Sequence, residues 1–418
     1  MKKSLLVVAP RYPYPIVGGD RIRIYYICQA LAEHFDLTLL SFCETKSELH
    51  APLPNDSVFK KIERVYLPKW KSWINCLLAL KSDQPLQVAY YTSKFFSQRI
   101  NELAKENDGV FFHLIRTTDI AEQLHCPKFL EMTDAISLNY SRINQSTKAY
   151  SGISSFIYRL EEPRLRDYEK SIIKIFDHTF LVSEMDRQFI FNNNPSAREN
   201  VSIVTNGVDL ERSPYAFSPE GKDLVFIGNM TTLPNMDAVE YLAREILPKV
   251  RMVHPSTRLR VIGRIGAKER FRLEQLEYVR IVGEVDSVSM AARGGGAGVC
   301  PMRLGAGIQN KLLEYMALGL PSVSSTIGLE GLSARPGLEL QVADEPETFS
   351  RHLIDLLSDR TRAEAMAVLA RNYVAAHHSW KIVSAPMVQT INDCLEAADR
   401  PARVAPHAMD KEQHRPTD

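Results

Sequence analysis

MRLGAGIQNKLLEYMALGLP, residues Met302 to Pro321, places two glycines around one alanine and then runs through good helix formers from Ile308 to Leu318. The apolar positions Ile308, Leu312, Leu313, Met316 and Ala317 fall on one face. The pattern is a glycine loop feeding a helix N-terminus. Gly305 and Gly307 let the backbone approach a ligand closely, and the unpaired N–H groups of the first turn, with the helix dipole, favour an anion such as phosphate. With a helix starting near Ile308, Lys311 lies one turn in and Glu314 lies ~9 Å along the axis, at about 1.5 Å per residue. That is the span from a diphosphate to the ribose of one nucleotide. Lys311 and Glu314 are three residues apart and can face one side, and Arg303 adds a cation from the loop. The same residues also suit a plain helix cap with a surface Lys–Glu pair, so the rest of the chain has to decide.

The chain has 418 residues, 45% of them hydrophobic, enough for two buried domains, since single cores stop growing near ~250–300 residues. Its 51 basic and 50 acidic residues leave a formal charge of +1, which gives no signature of a nucleic-acid partner, so any anion site is local. Six cysteines, Cys28, Cys43, Cys76, Cys126, Cys300 and Cys394, show no metal-like spacing and fit buried thiols in a reducing compartment. No metal site is expected. The opening MKKSLLVVAPRYPYP has too few apolar residues before Pro10 and Arg11 for a signal peptide and reads as a buried first strand. No run approaches the ~20 apolar residues of a membrane span, so a cytoplasmic protein is expected.

Strand-length apolar runs alternate with helical patterns along the chain. Ser4–Ala9, Asp36–Phe42, Gly109–Ile115, Lys128–Met132, His178–Ser183 and Val201–Thr205 read as strands, with helices at Asp20–His34, Gln87–Asn107 and Phe156–Phe176. After the Pro- and Gly-bearing segment NGVDLERSPYAFSPEGKD a second series begins. It comprises strands at Asp223–Ile227, Arg258–Ile262, Val279–Val282, Ala297–Met302, Ser322–Ser325 and Leu338–Val342, with helices at Asp237–Val253 and Lys268–Glu277. The expected division is a domain over 1–206, a linker over 207–222, a domain over 223–378, a last helix over 379–398 crossing back to the first domain, and a disordered tail over 399–418. Alternation of this kind makes an α/β fold of two doubly wound parallel sheets. Ligands bind beyond the C-terminal ends of such strands, which places the glycine loop at a cleft between the halves.

Several segments together resemble a glycosyltransferase of the GT-B fold, in the large retaining family 4. They are PYPIVGGDRIRIYYICQALAEHFDLTLLSF, LVSEMDRQFI with VSIVTNGVDL, LVFIGNMTTLPNMDAVEYL and, most specifically, PMRLGAGIQNKLLEYMALGLPSVSSTIGLEGL. The resemblance implies two Rossmann-like domains facing a central cleft, a nucleotide-diphosphate-sugar donor in the C-terminal half, and a saccharide or lipid-linked saccharide acceptor on the N-terminal side. It also implies retention of anomeric configuration and no obligatory metal or other cofactor. In that family two glutamates separated by seven residues frame the donor loop. The second matches Glu314 and implies a ribose contact, but Ala306 stands at the first, so the acidic sugar contact does not carry over. A PxRxGxGxxxK pattern, matched by Arg303 and Lys311, points to a subgroup associated with exopolysaccharide and surface-glycan assembly. Many relatives carry an arginine and a lysine after the first C-terminal strand. Here Gly228 and Asn229 stand there, followed later by Asn235, so charge neutralisation passes to Arg303 and Lys311, with Arg264 as a substitute. Gly305, Ala306, Gly307 and Ile308 form the donor loop.

Gly18 and Gly19 open the first loop, and Gly19 is expected beside the donor. Asp20, Arg21, Arg23, Arg116 and Asp134 are expected on the acceptor side and His113 among the catalytic groups. For each there is a plainer alternative: a turn, a cap, or a satisfied core histidine. Leu67–Leu80, LPKWKSWINCLLAL, sets Trp70, Trp73, Ile74, Leu77 and Leu78 at helical spacing with Lys69 and Lys71 beside them. That stripe suits either a membrane interface or packing on the sheet. An epimerase, a phosphorylase or a non-catalytic scaffold of the same fold would share the cleft. An NAD-dependent oxidoreductase is disfavoured because GxGxxG is absent from both halves.

Overall fold

A computed structural model of the chain describes residues 2–16, 18–145, 153–192, 200–305 and 307–399; the side chains of 153–155 lie outside this description, as does the expected tail beyond residue 399. Among the described residues thirteen strands form two all-parallel sheets. The first comprises β1 (Ser4–Ala9), β2 (Asp36–Cys43), β3 (Lys61–Tyr66), β4 (Gly109–His113), β5 (Lys128–Thr133), β6 (His178–Leu181) and β7 (Val201–Ile203), in the order β3-β2-β1-β4-β5-β6-β7. The second comprises β8 (Asp223–Ile227), β9 (Leu259–Ile262), β10 (Val279–Gly283), β11 (Gly295–Cys300), β12 (Ser322–Ser324) and β13 (Gln341–Val342), in the order β10-β9-β8-β11-β12-β13.

Strands covered on both faces need apolar side chains on both, which is why Leu5, Leu6, Val7 and Val8 are all fully buried in β1. In each sheet the order reverses between its first strand and the fourth in sequence, β1/β4 and β8/β11. The crevice at such a reversal is where open α/β sheets hold ligands.

The edge strand β3 is an addition to the strands expected from sequence. KIERVY carries three charges, and a half-exposed edge tolerates them where an interior strand would not. The expected helix Gln87–Asn107 is two, Leu86–Tyr91 and Lys94–Ala104, broken where Thr92 and Ser93 adopt extended backbone. The helical stretch that begins at Leu233 passes through a π-type turn at Leu242–Ile246 before continuing to Val253.

The chain passes between the halves twice, side by side. Val208 N–H donates to the His378 carbonyl at 2.7 Å, and the helix Trp380–Asp399 then packs Trp380, Val383, Met387, Ile391 and Leu395 into the core of the first sheet. Trp380 stacks on Tyr26 with ring centroids 5.3 Å apart. Among the described residues no helix is long and apolar enough to cross a membrane.

The helix Asn310–Leu318 is fixed from beneath by one side chain. Tyr315 OH accepts from Ile227 N–H at 2.9 Å and donates to the Val299 carbonyl at 3.2 Å, so it ties the helix to both strands of the reversal. Its ring occupies the space above Gly298, where a Cβ would fall 2.4 Å from Tyr315 Cγ. Gly298→Ala should therefore displace this helix, lowering stability by about 1–3 kcal/mol in a urea titration. A midpoint unchanged from the parent would show that the helix is not seated this way.

Candidate active site

The loop after β11 holds Gly305 at φ +124° and Gly307 at φ +73°, backbone that side chains rarely adopt; Ala306 lies outside the described residues. The helix that follows begins at Asn310, two residues later than expected, because the left-handed turn at Gly307 delays helical geometry until after Gln309. Lys311 is then its second residue, and Glu314 lies four residues beyond Asn310, ~6 Å along the axis. Gln309 supplies no side-chain cap; its carbonyl accepts from Leu312 N–H at 2.9 Å, so of the first turn the Asn310 and Lys311 N–H groups are the ones left to an outside acceptor.

Lys311 is 7% exposed. Its Nζ donates to Asn235 Oδ1 at 2.7 Å and lies 4.7 Å above the Phe226 ring, and burial draws its pKa below the ordinary lysine value. Burial raises Glu314 to about 7, with Lys311 pulling the other way. Glu314 Oε2 and Asn310 Oδ1 are both buried without a hydrogen-bond partner among the described residues. Both residues line a cavity of about 590 Å³ that both halves enclose, with Ile16 and Tyr26 from one side and Asp286 and Val288 from the other. The expected partner Arg303 is engaged elsewhere. Its Nε and Nη2 bond Asp237 at 3.0 and 2.6 Å and its guanidinium lies over the Tyr241 ring, so a carboxylate already balances the charge expected for a diphosphate.

Gly228 and Asn229 form the turn after β8: Asn229 accepts from Thr231 and Asn235, and a Cβ on Gly228 would sit 3.0 Å from the Asn235 amide. Asn235, rather than a cation, therefore links this turn to Lys311. Arg264 is exposed at the end of β9, where its carbonyl accepts from Met230 N–H.

Across the cleft, Gly19 faces the tip of the Asn310 helix; a Cβ there would lie 3.7 Å from Asn310 Nδ2. Asp134 faces Gly307, whose Cβ would lie 3.9 Å from its own, and Asn139 donates to its carboxylate at 2.8 Å. Burial raises the Asp134 pKa. For Asp20 burial works in the same direction, but Arg11 foremost, with His113 and Arg116, holds its carboxyl below the ordinary value. Arg116 donates to Gln87 at 3.1 Å and lies over Tyr91. His113 Nδ1 meets Glu131 at 2.6 Å, while its Nε2 is buried without a hydrogen-bond partner among the described residues. Leu114 and Thr133, at the ends of β4 and β5, hold positive φ of 62° and 65°. Strain of this kind costs roughly 1–3 kcal/mol per residue and clusters at functional sites.

Two residues expected on the acceptor side are engaged within the first half. Arg23 is 2% exposed and donates to Glu131, the Thr205 and Val204 carbonyls and Asn206 Oδ1. It therefore knits β5 to the end of the first domain rather than meeting an acceptor. Arg21 is paired with Glu48 at 2.6 Å. Their positions in the first helix gave no sign of this, because a buried arginine is recognised only by its partners.

Residues 221–359 match the family model described as glycosyl transferases group 1. The match lies within the second half. Over 206 residues the chain is 28% identical to a GDP-mannose-dependent monoacylated alpha-(1-6)-phosphatidylinositol monomannoside mannosyltransferase of Corynebacterium glutamicum, covering 43% of this chain and 53% of that one. Over 169 residues it is 22% identical to an uncharacterised 44.6 kDa protein in the cps region of Klebsiella pneumoniae, covering 38% of this chain and 44% of that one. It thus spans about half the length of the curated relatives it matches. Among solved structures, sucrose-phosphate synthase from Thermosynechococcus elongatus superposes with a TM-score of 0.71 at 14% identity, over 94% of this chain and all of that one. Anabaena HepE in complex with UDP and glucose superposes with a TM-score of 0.62 at 11% identity, over 93% and 100%. These likenesses establish the GT-B fold.

Arg23→Ala would leave Glu131 buried beside His113 without its main counter-charge. Stability should fall by about 3–5 kcal/mol on chemical denaturation, and a loss under about 1 kcal/mol would be inconsistent with the structural role given to Arg23.

Proposed function

We propose that the chain is a nucleotide-sugar-dependent glycosyltransferase of the retaining family 4 type, with the donor on the second half and the acceptor approaching from the first. The observation that carries this reading is the pair of unsatisfied buried oxygens, Glu314 Oε2 and Asn310 Oδ1, lining a cavity at an uncapped helix tip. Ribose hydroxyls are donors of the kind such oxygens lack. A diphosphate accepting from the helix tip would bring Lys311 the counter-charge its burial denies it. In the proposed reaction the acceptor oxygen bonds the anomeric carbon, the carbon–phosphate oxygen bond breaks, and the acceptor proton passes to the departing phosphate. Negative charge grows on that phosphate, and the helix tip and Lys311 stabilise it more in the transition state than in the ground state. This chemistry calls for no resident metal, so transfer should survive EDTA. We assign His113 and Asp134 to the acceptor side. Arg303 joins the diphosphate only if it leaves Asp237.

We place the acceptor on a lipid-linked saccharide of surface-polysaccharide assembly, at the cytoplasmic face of a membrane. Support comes from the helix Lys69–Ala79, which buries only Ser72 and Ala79 and leaves Trp70, Trp73, Leu77 and Leu78 each at least 66% exposed. The stripe is thus not packed on the sheet. Lys69 and Lys81 flank it in solvent, the arrangement of an interfacial helix on an anionic surface.

Calorimetry with UDP and GDP tests the donor site. One of them should bind, Lys311→Ala should weaken it by about tenfold or more, and Glu314→Gln should weaken it comparably. Because burial lifts Glu314 to about 7, its carboxylate is present above that pH and lost below it. Binding should therefore strengthen as pH rises from about 6 to about 8, and Glu314→Gln should abolish the dependence. A Glu314→Gln protein with parental affinity and pH profile would remove the ribose assignment.

For the surface helix, sedimentation with phosphatidylglycerol vesicles should pull down the parent and leave Trp70→Ser/Trp73→Ser in the supernatant. Equal partition of the two would exclude docking through this stripe.

A further inference from the structure

Arg142 sits on the helix Ile136–Gln145 of the first half, yet both of its strong partners belong to the second. Its Nη1 donates to the Gly305 carbonyl at 2.6 Å and to Glu330 Oε2 at 2.6 Å. The pair is only 25% and 18% exposed on its two sides, where a charged hydrogen bond counts for more than it does in open water. Gly331, at φ +79°, sits in the same junction; a Cβ there would lie 2.8 Å from Ile308 Cγ1 and 3.5 Å from Ser183 Cβ. The Glu330–Gly331 segment is thus wedged between the glycine loop and the first half.

A loop built on Gly305 and Gly307 has few side chains to hold it, and glycine gives it the most conformational freedom to lose. What orients it must come from outside, and Arg142 is one side chain that reaches it. Fixing the Gly305 carbonyl restrains the backbone where it enters the loop. We propose that Arg142 is a positioning residue and an interdomain latch: with Glu330 it holds the halves closed, and through Gly305 it shapes the phosphate-binding loop only in that closed state. The second part rests on the donor reading above. In an open cleft Gly305 loses this partner, so nucleotide affinity and closure are coupled. Both bonds come from the one nitrogen Nη1, whose two N–H directions are fixed by the guanidinium plane; a rotating lysine ammonium on a flexible stem does not hold that arrangement.

The test uses the full chain with Arg142→Ala, Arg142→Lys and Glu330→Gln, probed with UDP and GDP by calorimetry and by small-angle X-ray scattering. For whichever nucleotide the parent binds, Arg142→Ala and Arg142→Lys should weaken affinity by about tenfold, within the range typical of coupled sites. The radius of gyration should contract on nucleotide addition in the parent and contract less in these variants. With the matching nucleotide sugar, KM should rise more than kcat falls. Glu330→Gln should loosen closure by a smaller amount, and the Arg142→Ala/Glu330→Gln double variant should be no worse than Arg142→Ala alone. If Arg142→Ala does not fold, Arg142→Lys and Glu330→Gln carry the comparison. A lowered melting temperature with affinity and scattering unchanged would mean Arg142 is merely structural and would overturn the latch. If the parent binds neither nucleotide, the donor reading fails. The latch then stands or falls on ligand-free scattering, where Arg142→Ala must be more expanded than the parent and identical curves refute it.

Discussion

Two opposite charges deprived of water at the tip of a nine-residue helix are the constraint around which the second half is arranged. Burial works against the charge of both Lys311 and Glu314, and each only partly compensates the other. Asn235 gives Lys311 one good acceptor, while Glu314 keeps an oxygen with none. A folded chain that leaves buried polar atoms unpaired accepts a standing loss of stability. The loss is understandable where a ligand supplies the missing partners. Tyr315 and Gly298 hold the helix to the strand reversal, so the pair cannot relax toward solvent without disturbing the sheet.

The first half solves a different electrostatic problem. Glu131 is fully buried on a central strand; desolvation alone would raise its pKa, yet Arg23 and then His113 hold it at about 2. Arg23 extends that network to the carbonyls of Val204 and Thr205, just before the chain leaves for the second half. His113 is anchored at one nitrogen, while the other is buried without a hydrogen-bond partner among the described residues. Leu114 and Thr133, in positive-φ backbone, add further constraint at the C-terminal edge of β4 and β5.

Much of this was legible in the chain itself. Apolar runs such as SLLVVA and DLVFI can only be strands buried on both faces, and their alternation with helical patterns leads directly to two parallel sheets. GAGIQNKLLE announced a glycine loop feeding a helix, though not the helix's first residue, because the left-handed turn at Gly307 delays it to Asn310. Less legible were edges and breaks. KIERVY carries too many charges to look like a strand until an edge position excuses them, and Thr92–Ser93 divides a helix whose periodicity runs straight through.

By itself the sequence determined the layers and the glycine loop, because burial periodicity and glycine's backbone freedom are local properties. Only the tertiary structure decided which charges are free. Arg303, Arg23 and Arg21 read alike as cations near a site, and each is balanced by a carboxylate distant in sequence, Asp237, Glu131 and Glu48. Arg142, on an unremarked helix, reaches across the cleft to Gly305. Charge pairing depends on distance in space, and no spacing along the chain encodes it.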